Sequence, residues 1–139
     1  MRFTRSKARL MKMRLKPNAY GFELLLDVHV CDAKTFNRTS IDAFFTELCE
    51  VIEMERCEVH FWDDVGIEPE EQQTEPHAVG TSAVCFILTS TIVIHTLDML
   101  EKVFVNIFSC KTFDPEIASK FTAEWFKGEV RNSTFVNRE

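Results

Sequence analysis

Residues 80–96 decide the fold, and they read Gly-Thr-Ser-Ala-Val-Cys-Phe-Ile-Leu-Thr-Ser-Thr-Ile-Val-Ile-His-Thr. The segment contains two apolar, β-branched runs, 81–89 and 92–97, with only Ser90 and Thr91 between them. Such residues are enriched in strands because their side chains pack well on a pleated surface. The segment therefore predicts two strands with a tight turn or a kink between them.

The chain before this segment predicts a strand, a helix, a second strand and a loop. Apolar runs at 21–31 and 57–62 are typical of strands. Thr39 and Asp42 resemble a capping pair that starts the helix. The apolar residues that follow at helical spacing are Ile41, Phe44, Phe45, Leu48, Val51 and Ile52. Residues 63–79 contain six acids, two Pro and two Gln, which predicts a solvated loop that is long enough to act as a lid.

The chain after this segment carries the clearest helix signal. Residues 102–109 predict a strand, and Asp114 is placed as the N-cap of a helix whose first residue is Pro115. Gly128 marks the end of that helix, and residues 129–136 predict a last strand. The resulting order, β-α-β-β-β-β-α-β, predicts an α+β two-layer sandwich with a mainly antiparallel sheet and two helices on one face. Its second face would be left uncovered, so we expect a homodimer in which sheet faces pack together.

Charge is distributed unevenly along the 139 residues. There are 22 acidic and 16 basic residues, but seven of the basic ones fall within positions 1–16, which contain no acid. The other 123 residues hold nine basic and 22 acidic groups, a balance of −13. We expect a basic, disordered tail over 1–19 and an acidic domain over 20–139. An acidic domain argues against nucleic acid as a partner.

Several functional classes are excluded by composition. No apolar run is long enough to span a membrane, and the N-terminal segment has no apolar stretch typical of a signal peptide, so a cytoplasmic protein is expected. Five widely spaced Cys fit neither a disulfide framework nor a zinc site. Cys57 and His60 would point to opposite faces of a strand, so we expect no metal.

Four residues with reactive side chains lie within or after residues 80–96: Ser82, Ser90, His95 and Cys110. Together with Glu-Leu-Leu-Leu-Asp at 23–27, Cys31-Asp32, Gly80-x-Ser82 and Ile-x-Ile-His-Thr at 92–96, they resemble the S-adenosylmethionine decarboxylase family, in its short prokaryotic class. The resemblance runs from Tyr20 to the end of the chain. Each motif is weak alone, but all four residues fall at the family's intervals without a gap.

The resemblance implies a proenzyme that cleaves its own backbone between Thr89 and Ser90. Ser90 would become a pyruvoyl group, the self-derived cofactor, which forms a Schiff base with the amine of S-adenosylmethionine and withdraws electrons as carbon dioxide leaves. Ser82 and His95 would assist processing, and Cys110 would return a proton to the substrate. The activity implied is that of a carboxy-lyase in spermidine, and hence polyamine, biosynthesis.

The sequence departs from the family pattern at three places. The usual Glu-Ser-His at the cleavage site is Thr89-Ser90-Thr91, and the usual Trp-Pro-Glu after His-Thr is replaced by residues 97–99, Leu-Asp-Met. Asp98 or Glu101 is a candidate for the lost ribose-binding acid. The family's adenine-stacking aromatic, shortly before Gly-x-Ser, is also missing. Phe61 and Trp62 are the nearest candidates to bind the sulfonium cation and the base.

These departures leave two other functions open. One is a pyruvoyl-dependent decarboxylase of a basic amino acid, arginine or ornithine, because the ribose-binding acid is lost and the adenine-stacking aromatic is displaced. The other is an unprocessed, non-catalytic homologue, because Thr89 and Thr91 lack the ionisable groups of the family's cleavage site.

Overall fold

The computed structural model describes residue 16 and residues 18–139. The predicted element order is confirmed. Six strands are present: β1 (Gly21–His29), β2 (Val59–Trp62), β3 (Gly80–Phe86), β4 (Thr91–Leu97), β5 (Lys102–Ser109) and β6 (Glu129–Arg138). Two α-helices, α1 (Arg38–Val51) and α2 (Pro115–Phe126), and two short 3-10 turns, Ala33–Thr35 and Pro69–Glu71, complete the described part of the chain. The strands form one antiparallel sheet in the order β2-β3-β4-β5-β1-β6.

The segment 80–96 forms the hairpin of β3 and β4. Its ladder runs from the pair Gly80 and Leu97 to the pair Phe86 and Thr91, so residues 87–90 make the connection. The amide of Ile87 donates to the carbonyl of Ser90 at 3.0 Å, which closes the turn. Strand β3 ends three residues earlier than the apolar run predicts, because the chain turns at Leu88, whose φ is +62°. Apolar composition alone does not mark that reversal.

Helix α1 begins at a different cap from the one predicted. Asn37 is the N-cap, and its side chain accepts from the amide of Ser40 at 2.8 Å. The capping pair Thr39 and Asp42 was the wrong choice because both residues lie inside the first turns of the helix. Asp42 instead forms an ion pair with Arg56 at 2.5 Å. Asn and Thr are both common N-cap residues, so residue type alone does not distinguish between neighbouring candidates.

Helix α2 is bounded as predicted. The Asp114 carboxylate accepts from the amides of Glu116 and Ile117, and Pro115 is the first helical residue. Lys127 ends the helix with a φ of +54°. Gly128 is the next residue. A Cβ on Gly128 would lie 2.5 Å from the Sγ of Cys31, so this position has no room for a side chain.

One face of the sheet is covered by the helices, and we call it the closed face. Alternate strand residues point into it and are buried, together with the apolar sides of α1 and α2. Phe44 of α1 lies at the centre, fully buried, with its ring centroid 4.9 Å from that of Phe126 and 6.0 Å from that of Phe121. This aromatic packing supplies the core expected from the helical spacing of α1.

The opposite face carries no helix, and we call it the open face. The side chains that strand alternation places there are not buried, and they include Leu25, Trp62, Ser82, Val84, Val93, His95, Phe104 and Asn106. Trp62 is 82% exposed and Leu25 39% exposed. The uncovered second face predicted from the sequence is therefore present in the single chain.

The tail predicted over 1–19 falls mostly on residues 1–15 and 17, which lie outside the described residues. The described part contacts β6 and the residue that follows it: Lys16 donates its amide to Asn137 at 2.8 Å, and its Nζ pairs with Glu139 at 2.5 Å. The Tyr20 amide donates to the carbonyl of Arg138 at 2.8 Å. None of the described helices has the length and apolar character needed to cross a membrane.

Candidate active site

The first group of predicted site residues gathers at the β3–β4 turn, and we call it the turn cluster: Thr89, Ser90 and Cys110. The amide of Cys110 donates to Ser90 Oγ at 3.0 Å. Ser90 Oγ lies 3.7 Å from Cys110 Sγ, and Thr89 Oγ1 lies 3.4 Å from the same sulfur. Ser90 is 4% exposed, whereas Cys110 is exposed. The cluster therefore has a buried hydroxyl beside an accessible thiol.

The two hydroxyls of the turn cluster affect the thiol. Hydrogen bonds from Thr89 and then from Ser90 lower the pKa of Cys110 below its ordinary value. Hydroxyl donors have this effect because they stabilise the thiolate more than the thiol. Cys110 is 20 residues from Ser90 in the chain, and the antiparallel pairing of β4 with β5 brings them together.

The second group is Ser82 and His95, which we call the open-face pair. The two residues are directly opposite in the β3–β4 ladder, and Ser82 Oγ is hydrogen-bonded to His95 Nδ1 at 2.7 Å. His95 is exposed, and Ser82 is partly exposed. The contact follows from register, since the 13-residue spacing of a hairpin with a four-residue connection makes these two positions cross-strand neighbours.

The two groups are separate within one chain. His95 is five residue steps along extended chain from Ser90, which corresponds to roughly 16 Å at about 3.3 Å per residue. Ser90 precedes β4 at one end of the hairpin, and His95 lies close to the other end of that strand. The fold places Ser82 beside His95 and Ser90 beside Cys110, but it does not bring these two pairs into contact within one chain.

An apolar hollow of about 220 Å³ adjoins the open-face pair. Trp62 lies opposite Ser82 in the β2–β3 ladder, and His60 lies opposite Val84, so both point to the open face. Phe61 points the other way and packs against the core, with the Arg38 guanidinium 5.7 Å from its ring centroid. Of the two aromatic candidates, Trp62 is thus the one beside Ser82.

The two candidate acids lie away from the open-face pair. Asp98 lines a cavity of about 520 Å³ together with residues at the start of α1, and its Oδ1 has no hydrogen-bond partner among the described residues. Burial raises the pKa of Asp98. Glu101 is exposed in the β4–β5 turn, at a φ of +51°. Neither carboxylate is placed with His95 in the single chain.

One contact of the turn had no signal in the sequence. Cys57 Sγ accepts a hydrogen bond from the Leu88 amide at 3.3 Å. The two residues are 31 positions apart in the chain. They come together because the residues just before β2 are hydrogen-bonded to Phe86, the last residue of β3. Among the described residues, no group of three His, Cys, Asp or Glu side chains could hold a metal ion.

Comparison with known proteins decides the family. The family model described as S-adenosylmethionine decarboxylase matches residues 22–139. The chain belongs to this family. The match includes both the turn cluster and the open-face pair, and it confirms the family and the decarboxylase, a carboxy-lyase, that the sequence motifs predict.

A solved relative of this decarboxylase has the same fold. The crystal structure of the adenosylmethionine decarboxylase from Aquifex aeolicus VF5 superposes with a TM-score of 0.66 at 17% identity. The alignment covers 86% of this chain and 91% of that one, which confirms the α+β architecture. No curated protein sequence matches the chain significantly.

Proposed function

We propose that this S-adenosylmethionine decarboxylase is a proenzyme that cleaves itself between Thr89 and Ser90. The observation that carries the proposal is the turn cluster, in which a buried serine hydroxyl adjoins the peptide bond at a tight turn, beside a backbone amide donor. A fixed hydroxyl next to its own peptide carbonyl needs little reorganisation to attack it.

The processing steps follow from the residues of the cluster. Ser90 Oγ attacks the carbonyl carbon of Thr89, the C–N bond breaks, and an ester joins Thr89 to the Ser90 side chain. Loss of the Ser90 α-proton then expels the Thr89 carboxylate and leaves a dehydroalanine. Water replaces its nitrogen, which departs as ammonia, so that residue 90 becomes a pyruvoyl group. The products are chains of 89 and 50 residues.

The turn fits such a group. Cleavage falls outside the β3–β4 ladder, which ends at Phe86 and Thr91, so no ladder hydrogen bond between the two products is lost. When formed, the pyruvoyl group supplies an electron sink for the bond to the departing carbon dioxide. Cys110, 3.7 Å from Ser90 Oγ and accessible, is suited to hold a proton beside the reacting carbon and to deliver it.

We propose further that two copies of the chain complete each site. The open-face pair is suited to proton transfer and oxyanion stabilisation, but it lies roughly 16 Å from Ser90 of its own chain. The open face is also uncovered and carries exposed apolar side chains such as Trp62 and Leu25. Face-to-face packing of two sheets in opposite directions would bury this surface. It would bring the open-face pair of one chain toward the turn cluster of the other.

The proposed substrate is S-adenosylmethionine, decarboxylated in the cytoplasm as a donor for spermidine synthesis. Trp62 beside the hollow offers an exposed indole face to a sulfonium cation or an adenine ring. The acidic balance of residues 17–139 favours a cationic substrate over an anionic one.

Mass spectrometry of the purified protein tests the cleavage. Wild type is expected to give fragments of 89 and 50 residues, the smaller one blocked to Edman sequencing, whereas Ser90→Ala stays whole and inactive. A wild-type protein that remains a single 16.2 kDa chain would favour the unprocessed homologue. Carbon dioxide release from S-adenosylmethionine, arginine and ornithine separates the substrates, and release from a basic amino acid alone would contradict the proposal.

Mixed dimers test the shared site. Ser90→Ala and His95→Ala chains, each poorly processed alone, are co-expressed with different tags. If each site uses Ser90 of one chain and His95 of the other, the mixed dimer has one intact site, and the His95→Ala chain is cleaved. Sites formed within single chains predict no cleavage in the mixture.

A further inference from the structure

The turn that carries the cleavage site has an unusual backbone. Leu88 and Thr89 are the two residues between Ile87 and Ser90, which close the turn with a backbone hydrogen bond of 3.0 Å. Leu88 has a φ of +62°, in the left-handed region where a side chain is unfavourable. Tight hairpin turns usually place Gly, Asn or Asp at such a position. A leucine there requires an interaction that holds it.

The Leu88 side chain does not supply that interaction. It is 64% exposed, so burial of the leucine does not stabilise the conformation. Leu88 is therefore held through its backbone. The contact that its amide makes is to Cys57 Sγ, at 3.3 Å.

Cys57 is firmly placed to accept this bond. Its own amide donates to the carbonyl of Phe86 at 2.7 Å, and the Phe86 amide donates to the carbonyl of Glu58 at 2.9 Å. These two bonds continue the β2–β3 pairing to the edge of the turn. The Cys57 thiol donates to the carbonyl of Glu55, with Sγ 3.9 Å from that oxygen. The lone pairs of the sulfur are therefore available to accept from the Leu88 amide.

We propose that Cys57 is a positioning residue for self-cleavage, acting through the Leu88 amide. Its thiol holds the Leu88 amide and so fixes the left-handed turn, with the Thr89 carbonyl facing Ser90 Oγ. Two thiols then hold opposite sides of the turn, Cys57 at the Leu88 amide and Cys110 at the hydroxyls of Thr89 and Ser90. This inference rests on the proposed cleavage between Thr89 and Ser90. Cys57 takes no part in the bond changes of cleavage.

The rate of cleavage in the full chain tests the proposal. The protein is made by cell-free translation, and the appearance of the 50-residue fragment is followed on a denaturing gel. Cys57→Ala is expected to cleave about five- to tenfold more slowly, the change that loss of one hydrogen bond produces. Cys57→Ser, which keeps an acceptor, is expected to stay within about twofold of wild type. Decarboxylase turnover per cleaved molecule should be unchanged in both variants.

Two controls separate positioning from general stability. Cys31→Ala removes another thiol, one that is buried away from the turn, and is expected to lower the unfolding temperature without slowing cleavage. Leu88→Gly removes the penalty of the left-handed conformation. The effect of Cys57→Ala is therefore expected to shrink in that background, which also provides a readout if Cys57→Ala alone folds poorly.

Different outcomes identify which proposal fails. Wild type that cleaves, with Cys57→Ala cleaving at the same rate, overturns the role of Cys57 and leaves the proposed function intact. Equal slowing by Cys57→Ala and Cys31→Ala, or an equal effect of Cys57→Ala with and without Leu88→Gly, also overturns it. Wild type that never cleaves removes the proposed function and this inference together.

Discussion

The two faces of the sheet use the same alternating strands for different purposes. On the closed face, strand side chains such as Leu24 and Ile94 are fully buried and belong to the same core as Phe44 of α1. On the open face, the neighbouring positions of the same strands hold Ser82, His95 and Trp62, all in contact with solvent. Strand alternation thus divides the side chains between a packed core on one face and solvent on the other, where Ser82 and His95, proposed to assist cleavage, lie. A closed-face substitution should therefore change mainly stability, and a substitution of the open-face pair mainly the rate of cleavage.

The largest effect on stability is expected on the closed face. Phe44→Ala removes a fully buried ring that contacts four aromatic neighbours, and it should lower the free energy of unfolding by about 3–5 kcal/mol. Phe86→Ala, at a 41% exposed position, is the matched control and should cost much less. Denaturant unfolding of both variants in an uncleaved Ser90→Ala background measures the difference. Equal losses would contradict the division between faces.

The next effect concerns chemistry on the open face. His95→Ala breaks the 2.7 Å contact with Ser82 and should slow self-cleavage about 100-fold, the lower range for loss of a general acid or base. Because His95 is exposed, the free energy of unfolding should change by no more than about 0.5 kcal/mol. His60→Ala, also exposed but not bonded to Ser82, is the control for cleavage rate. A large loss of stability in His95→Ala would show that the open face is structural.

A smaller effect on stability is expected at a carboxylate that is partly buried. Burial raises the pKa of Asp98, so the folded state binds its proton more tightly than the unfolded state does. Stability therefore falls as the pH rises through the raised pKa. Asp98→Asn should increase the unfolding temperature at pH 7, with the difference vanishing below about pH 4. Glu70→Gln, on the exposed acidic loop, should change nothing at either pH.

The smallest effect is expected on the pKa of one thiol, that of Cys110. The Thr89 hydroxyl is the main cause of the lowered pKa of Cys110, so Thr89→Val should move that pKa upward. The pH dependence of Cys110 alkylation by iodoacetamide, read from its peptide by mass spectrometry in the Ser90→Ala background, measures the shift. Alkylation of Cys57 in the same samples is the internal reference. An unchanged profile would contradict a role for Thr89 in holding the thiolate.

The elements whose bounds follow from the sequence are those where one local signal outweighs its alternatives. Asp114 followed by Pro115 leaves little choice for a helix start, and the structure confirms both residues in their positions. The start of α1 offered several cap-forming residues within a few positions, and Asn37 is the one used. Local composition could not select it, because the choice depends on where the helix packs against the sheet.

The positions of the candidate site residues likewise depend partly on local sequence and partly on packing. The 13-residue spacing of Ser82 and His95 made them neighbours once the hairpin formed, so their contact follows from the sequence and the turn length. Phe61 and Trp62 are adjacent, and strand alternation sends them to opposite faces. The sequence could not tell which of the two faces is open, since that depends on where both helices pack.

The sequence by itself determined the order of the elements, the hairpin, both helices and the spacing of Ser82, Ser90, His95 and Cys110. Those features depend on periodicity and on residue type over short distances. Only the tertiary structure decided that these four residues form two separate groups, that Asp98 lies away from His95, and that Cys57 contacts the turn. Such facts depend on strand pairing across many residues and on which face the helices cover. Neither the strand pairing nor the choice of covered face is determined by any single segment of the sequence.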